Sequence, residues 1–282
     1  MSDLPEAVAA ATTSWLHEAN AALPGFVTAF YVTGSAALGA FDPRHSDIDF
    51  VAVAAHGLNP AQRAALEHAH RRVQRRLGHG LDGLLVTETA LRGESDEPLP
   101  TLRHGRIVGM CPWRACSLDA HVLREYGVVV RGLPPAALMP PVGWDSLCPQ
   151  MVENLNDYWR RWHRDSARLW SPKGIGLLWN AQVEWGVLGV SRIAYSLREH
   201  AVISKAGAGQ YMLNIAPPKW HAILQEALRP RLGGPARFAS PFVRRQAALA
   251  YIDWMINWAN ESKCLQEKAD KRKPSHTEPW RQ

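Results

Sequence analysis

From Thr33 to Phe50 the chain reads Thr-Gly-Ser-Ala-Ala-Leu-Gly-Ala-Phe-Asp-Pro-Arg-His-Ser-Asp-Ile-Asp-Phe, and this stretch holds the residues best suited to chemistry. Gly34 and Ser35 end an apolar, β-branched run, where a helix is expected to begin. A glycine there lets a phosphate approach the backbone, the N–H groups of a helix start attract its charge, and the Ser35 hydroxyl adds a donor. Asp47 and Asp49 stand two apart on an expected strand, so both carboxylates leave the same face. Their roots are then ~6.5–7 Å apart, from a rise of ~3.3 Å per residue. Carboxylates at that spacing can share one or two divalent cations, and Mg2+ is usually held through carboxylate and phosphate oxygens. Without a cation, two acids in an otherwise apolar strand would be costly. A third acid is needed to complete such a site and to take a proton from an attacking hydroxyl. Asp82, which opens the apolar run 81–87, has the expected placement, and Ser46 joins Gly34 and Ser35 as a phosphate-cradling position.

Positioning these groups requires strands. Residues 26–33, 47–54, 81–87, 106–110 and 127–131 are short apolar or β-branched runs that read as strands. Helical patterns precede the first run, at 4–23, and follow the second, where Asn59-Pro60 supplies an N-cap and a first-turn proline. Mixed this closely, they predict an α/β (α+β) domain in which a mixed sheet is layered against helices. The pairs Pro134-Pro135 and Pro140-Pro141 mark a domain boundary. Beyond it, 145–162, 177–200, 218–228 and 240–263 are helix-compatible, and ten of the 12 Trp residues lie between Trp144 and Trp280. An all-α bundle is expected there, giving domains at 1–140 and 141–265 and a flexible polar tail at 266–282. Gly207-Ala208-Gly209-Gln210 reads as a glycine-rich loop; it lacks the following Lys-Ser/Thr of a P-loop.

With 282 residues, 46% of them hydrophobic and 21% charged, the chain is neither a disordered tail nor a collagen-like repeat. Its apolar runs fall short of the ~20 residues a membrane helix needs, and the acidic start, Met1-Ser2-Asp3-Leu4-Pro5-Glu6, does not resemble a signal peptide. Four cysteines without metal-ligand spacing read as reduced, mostly buried thiols of a cytoplasmic protein. Charge is split along the chain: residues 1–150 carry 12 Arg, no Lys and 15 Asp+Glu, a balance of −3, whereas 151–282 carry 20 Lys+Arg against 11 Asp+Glu, a balance of +9. Arg71-Arg72 and Arg75-Arg76 read as a solvated helix face rather than a nucleic-acid surface, since no aromatics interleave them.

The Gly34-Ser35 pair, the Asp47-Ile48-Asp49 motif and the distal Asp82 together resemble the nucleotidyltransferase superfamily signature. The resemblance extends to the streptomycin/spectinomycin (3''-type aminoglycoside) adenylyltransferases through 123–132, Leu-Arg-Glu-Tyr-Gly-Val-Val-Val-Arg-Gly, through 188–196, Leu-Gly-Val-Ser-Arg-Ile-Ala-Tyr-Ser, and through Ile203-Ser204-Lys205. That family joins a nucleotidyltransferase domain to a C-terminal helical domain. The resemblance implies that Arg192 and Lys205 bind the nucleotide phosphates and that Trp113, Trp179, Gln182 and Glu184 lie at the acceptor. Asp82 stands where the family has a glutamate, and Gln182 where an acid is expected. The expected activity is Mg2+-dependent transfer of AMP from ATP to a hydroxyl of an aminoglycoside or aminocyclitol, with Asp47, Asp49 and Asp82 as metal ligands, Asp82 also as base, two Mg2+ ions, and a monomeric protein. A regulatory nucleotidyltransferase acting on a protein partner, a silent nucleotide-binding module and a nucleic-acid-end polymerase are the rival readings.

Overall fold

The structure, a computed structural model, describes residues 4–261. The chain divides into two compact units, Met1–Gly143 and Trp144–Gln282. The first runs α1 (Glu6–Ala22), β1 (Val27–Thr33), α2 (Gly34–Ala37), β2 (Ile48–Ala54), α3 (Pro60–Gln74), β3 (Leu81–Thr87), α4 (Glu88–Leu91), β4 (Leu99–Arg103), β5 (Arg106–Cys111), α5 (Leu118–Tyr126), β6 (Val128–Arg131) and α6 (Pro135–Leu138). One six-stranded sheet has the order β5-β4-β3-β2-β1-β6. Its β2–β3 pair is parallel and the other four are antiparallel.

A parallel pair needs a crossover, and α3 supplies it. Asn59 starts this helix as the sequence predicts: its side chain accepts from Gln62 N–H while the Gln62 side chain accepts from Asn59 N–H, with Pro60 at the first position. The buried stripe Leu66, Ala69, His70 and Val73 and the α1 residues Val8, Ala11, Trp15 and Ala19 help form the core. There Trp15, Phe30 and Phe50 cluster, Phe50 lying 4.8 Å from each of the other two ring centres. Ile48, Phe50, Ala52 and Ala54 of β2 all enter this core, so strand alternation sends Asp49 to the opposite face. Arg72 of α3 and Arg76, just beyond its end, pair with Glu18 of α1, and Arg71 pairs with Glu67.

The second unit is helical: α7 (Trp144–Asn154), a π-turn (Leu155–Trp159), α8 (Arg160–Ala167), α9 (Pro172–Gly176), α10 (Asn180–Glu199), α11 (Lys205–Ile215), a short 3₁₀ turn (Pro218–Trp220), α12 (His221–Leu232) and α13 (Pro241–Asn260). Helix α10 packs against α11, α12 and α13. Trp159, Trp162 and Trp185 pack against one another at tilted and edge-on angles with centroids 4.7–5.8 Å apart, and the buried Tyr251 and Ser191 hydroxyls meet at 2.7 Å.

The structure corrects several expectations. Residues 207–210 lie inside α11 rather than in a loop, because Ser204 caps that helix by accepting from Gly207 N–H and Gly209 lets it approach its neighbours. A Cβ at 209 would fall 2.6 Å from Leu228 Cδ2 and 2.9 Å from Leu188 Cδ2. Strand β4 was not expected, and the single helix at 145–162 is interrupted by the π-turn. Cys111 and Cys116 are exposed rather than buried, and Cys148 is not a free thiol. The expected tail lies outside the described residues. Among the described residues no helix is long and apolar enough to cross a membrane.

Candidate active site

The first-unit candidates other than Trp113 gather at the ends of β1, β2 and β3. Strand β1 turns directly into α2 at Gly34, whose φ of +62° is left-handed. A Cβ there would fall 2.0 Å from Asp49 Oδ2, so the Asp49 carboxylate occupies the space that only glycine leaves open. Ser35 is the second residue of α2. In the connection to β2, Ser46 is buried and its Oγ accepts from Asp42 N–H at 3.1 Å, closing the 42–46 turn. The Asp42 carboxyl is held well below its ordinary range, first by the Arg44 N–H and then by His45.

The β2–β3 register sets Asp49 directly beside Asp82. Asp47 precedes β2, and its Oδ1 accepts from Gly80 N–H at 3.1 Å. Asp82 accepts from His104 N–H at 3.2 Å through Oδ1 and faces Arg103 Nε at 3.1 Å through Oδ2. Burial pushes the Asp82 carboxyl up, against the His104 N–H and the His104 and Arg103 charges, while the charge of Asp47 adds to the rise. The ligand-type atoms of Asp47, Asp82 and His104 all lie within 4.8 Å of one another. Cis donors around a dication bound at about 2.1 Å are about 3 Å apart and trans donors about 4.2 Å. The 4.8 Å bound on the three donors is close to that trans spacing.

His104 was not singled out from sequence, since it is isolated among 12 scattered histidines. It sits at the tip of the β4–β5 hairpin, where His104 and Gly105 have φ of 46° and 82°. The signal available was the tight His-Gly turn between two strands, and it was hidden because β4 was not recognised.

In the second unit, Glu184, Leu188 and Arg192 recur at four-residue steps along α10 and so share one face. Arg192 Nε donates to Ile203 O at 3.0 Å, one residue before Ser204 caps α11, and Lys205 is the first residue of that helix. Glu184 is 6% exposed. Its Oε1 accepts from Arg231 Nε at 2.8 Å, and Lys205 Nζ lies 3.9 Å from the same oxygen. Two cations thus face one buried carboxylate, and Arg231 is a member of this cluster that sequence reasoning missed. Trp179, at the N-cap of α10, is 59% exposed and Gln182 is also exposed, whereas Trp113 is 3% exposed. Of the four expected acceptor contacts, then, Trp179 and Gln182 present their side chains to solvent; Glu184 is paired within its own unit and Trp113 is packed inside its unit.

Residues 176–256 match the family described as aminoglycoside adenylyltransferase, C-terminal domain. The whole fold is similar to the crystal structure of spectinomycin adenyltransferase from Enterococcus faecialis with ATP and spectinomycin, at a TM-score of 0.63 and 12% identity, covering 88% of this chain and 98% of that one. No curated protein matches. The first likeness bears out, for the C-terminal domain, the family and enzyme class expected from the sequence; the second bears out the expected fold.

Proposed function

We propose, from the premise that this chain carries an aminoglycoside adenylyltransferase C-terminal domain, that it transfers AMP from ATP to a hydroxyl of an aminoglycoside or aminocyclitol such as streptomycin or spectinomycin, as a monomer in the cytoplasm. The observation that carries the reading is the parallel β2–β3 register, which sets Asp49 beside Asp82 at the strand ends where β1 opens into Gly34 and Ser35.

Asp47, Asp49 and Asp82 would hold Mg2+, as two ions, which when bound neutralises triphosphate charge and polarises the phosphoryl oxygens. The backbone N–H groups after Gly34 and the Ser35 and Ser46 hydroxyls donate to phosphate oxygens, and Arg192 and Lys205 add positive charge. Asp82 takes the proton of the acceptor hydroxyl. The hydroxyl oxygen bonds to the α-phosphorus as the α–β bridging bond breaks, and pyrophosphate leaves. The exposed Trp179 ring offers a flat apolar face to the sugar-like acceptor, with Gln182 as a hydrogen-bonding neighbour; Trp113 and Glu184 serve by supporting their surroundings.

The test is mass spectrometry of a panel of aminoglycosides incubated with the protein, ATP and Mg2+. A single AMP added to streptomycin or spectinomycin is expected, and Asp47→Asn is expected to lower the rate by about 10²–10⁴-fold, the scale of a lost acid–base or charge-stabilising group. An unmodified panel, or an adduct that survives Asp47→Asn at full rate, overturns the proposal.

A further inference from the structure

Hairpin β4–β5 brings a residue of different chemistry to the carboxylates. Because β3 and β4 pair antiparallel, with Gly83 opposite Leu102, the turn after Arg103 comes level with Asp82. His104 is fixed there by three independent features. Its own N–H donates to Asp82 Oδ1. The next residue, Gly105, donates its N–H to Nε2 of the fully buried His70 at 3.2 Å, which ties the turn to the core. Beneath the imidazole lies Gly80, where a Cβ would fall 2.2 Å from Asp47 Oδ1 and 2.6 Å from His104 Cε1. The backbone at 80 is therefore the floor on which the carboxylate of Asp47 and the ring of His104 both rest. Asp49, by contrast, lies against Gly34 and is not part of the group of three.

We infer that Asp47, Asp82 and His104 form one three-donor site for a divalent cation, and that the imidazole directs this site toward Co2+ or Zn2+ in preference to Mg2+. Oxygen-only ligands suit the hard Mg2+ ion, whereas an imidazole nitrogen is a strong ligand for later first-row dications and a poor one for Mg2+. The inference rests on the proposed function only for what the bound ion does; the donor set stands on its own geometry.

The test uses the metal alone with the full chain. Co2+ is titrated and followed by its d–d absorption, and Mg2+ and Co2+ affinities are measured by calorimetry. The variant is His104→Asn, because asparagine tolerates the left-handed backbone of the turn while removing the imidazole. The expected result is that the wild type binds Co2+ at least about tenfold more tightly than Mg2+, and that His104→Asn weakens Co2+ by about 10–100-fold, the usual range when a metal site loses an ordering group, with little change for Mg2+. Equal loss of both metals would mean a merely structural role for His104 and overturns the inference, as does no loss of either. Transfer of AMP is scored beside these titrations with Mg2+. Transfer without a Co2+ preference refutes the site and leaves the function standing. A Co2+ preference lost in His104→Asn, with no transfer to any drug, supports the site and removes the function.

Discussion

Acidification should weaken this protein through one buried ring. His70 is fully buried, and its pKa is lowered from 6.5 to about 4, chiefly by burial, with the charge of Glu67 opposing and that of His104 adding. The geometry explains the refusal of a proton. Trp15 Nε1–H points at Nδ1 at 3.2 Å and Gly105 N–H points at Nε2 at 3.2 Å. A neutral ring can accept from one of these donors; a charged ring can accept from neither. The unfolded chain binds its proton near pH 6.5 and the fold only near pH 4, so this stability is complete above the unfolded value and is lost as pH falls from 6.5 to 4. At about 1.36 kcal/mol per pKa unit the full effect is about 3 kcal/mol, of which about 2 kcal/mol is lost between about pH 7 and pH 5. The assay is urea unfolding by tryptophan fluorescence at both pH values, for the wild type and for His70→Gln, which does not titrate. The wild type should lose about 2 kcal/mol more than the variant over that interval. Equal losses would refute the reasoning.

Three further outcomes follow from close contacts. Gly34→Ala should lower stability by about 1–2 kcal/mol for the left-handed backbone and, by pushing Asp49 aside, slow AMP transfer by about 100-fold; thermal unfolding and the drug-adduct assay read the two effects. Glu184→Gln should cost about 3 kcal/mol in urea unfolding, because it leaves the guanidinium of Arg231 buried without its carboxylate. Gly209→Val should cost about 1–3 kcal/mol in the same assay by forcing α11 away from Leu188 and Leu228.

Much of the site's framework was legible because it is local. The Asn59-Pro60 helix start, the strand at 81–87 and the Gly34-Ser35 turn depend on neighbours within a few residues, and each appears where the residue pattern put it. Strand β4 was hidden by Pro100, which argues against a strand in sequence yet sits here opposite Met110. With β4 unseen, the hairpin tip and His104 could not be brought to Asp82. The glycines of α11 mimicked a loop, since what Gly209 permits is a close contact with Leu188 and Leu228, far away in sequence. The pairing of Arg231 with Glu184 spans 47 positions and leaves no periodic trace. The inward packing of Trp113 is likewise a tertiary outcome that residue type alone does not announce.

The parallel register of β2 and β3 has one more consequence. Asp49 and Asp82 come together only after the intervening helix has docked and the second strand has slid home, so neither half of the first unit can host the acidic centre alone. A chain ending before Leu81 carries Asp47 and Asp49 but lacks Asp82, so the side-by-side placement of Asp49 and Asp82 waits until β3 has been made and has joined the sheet.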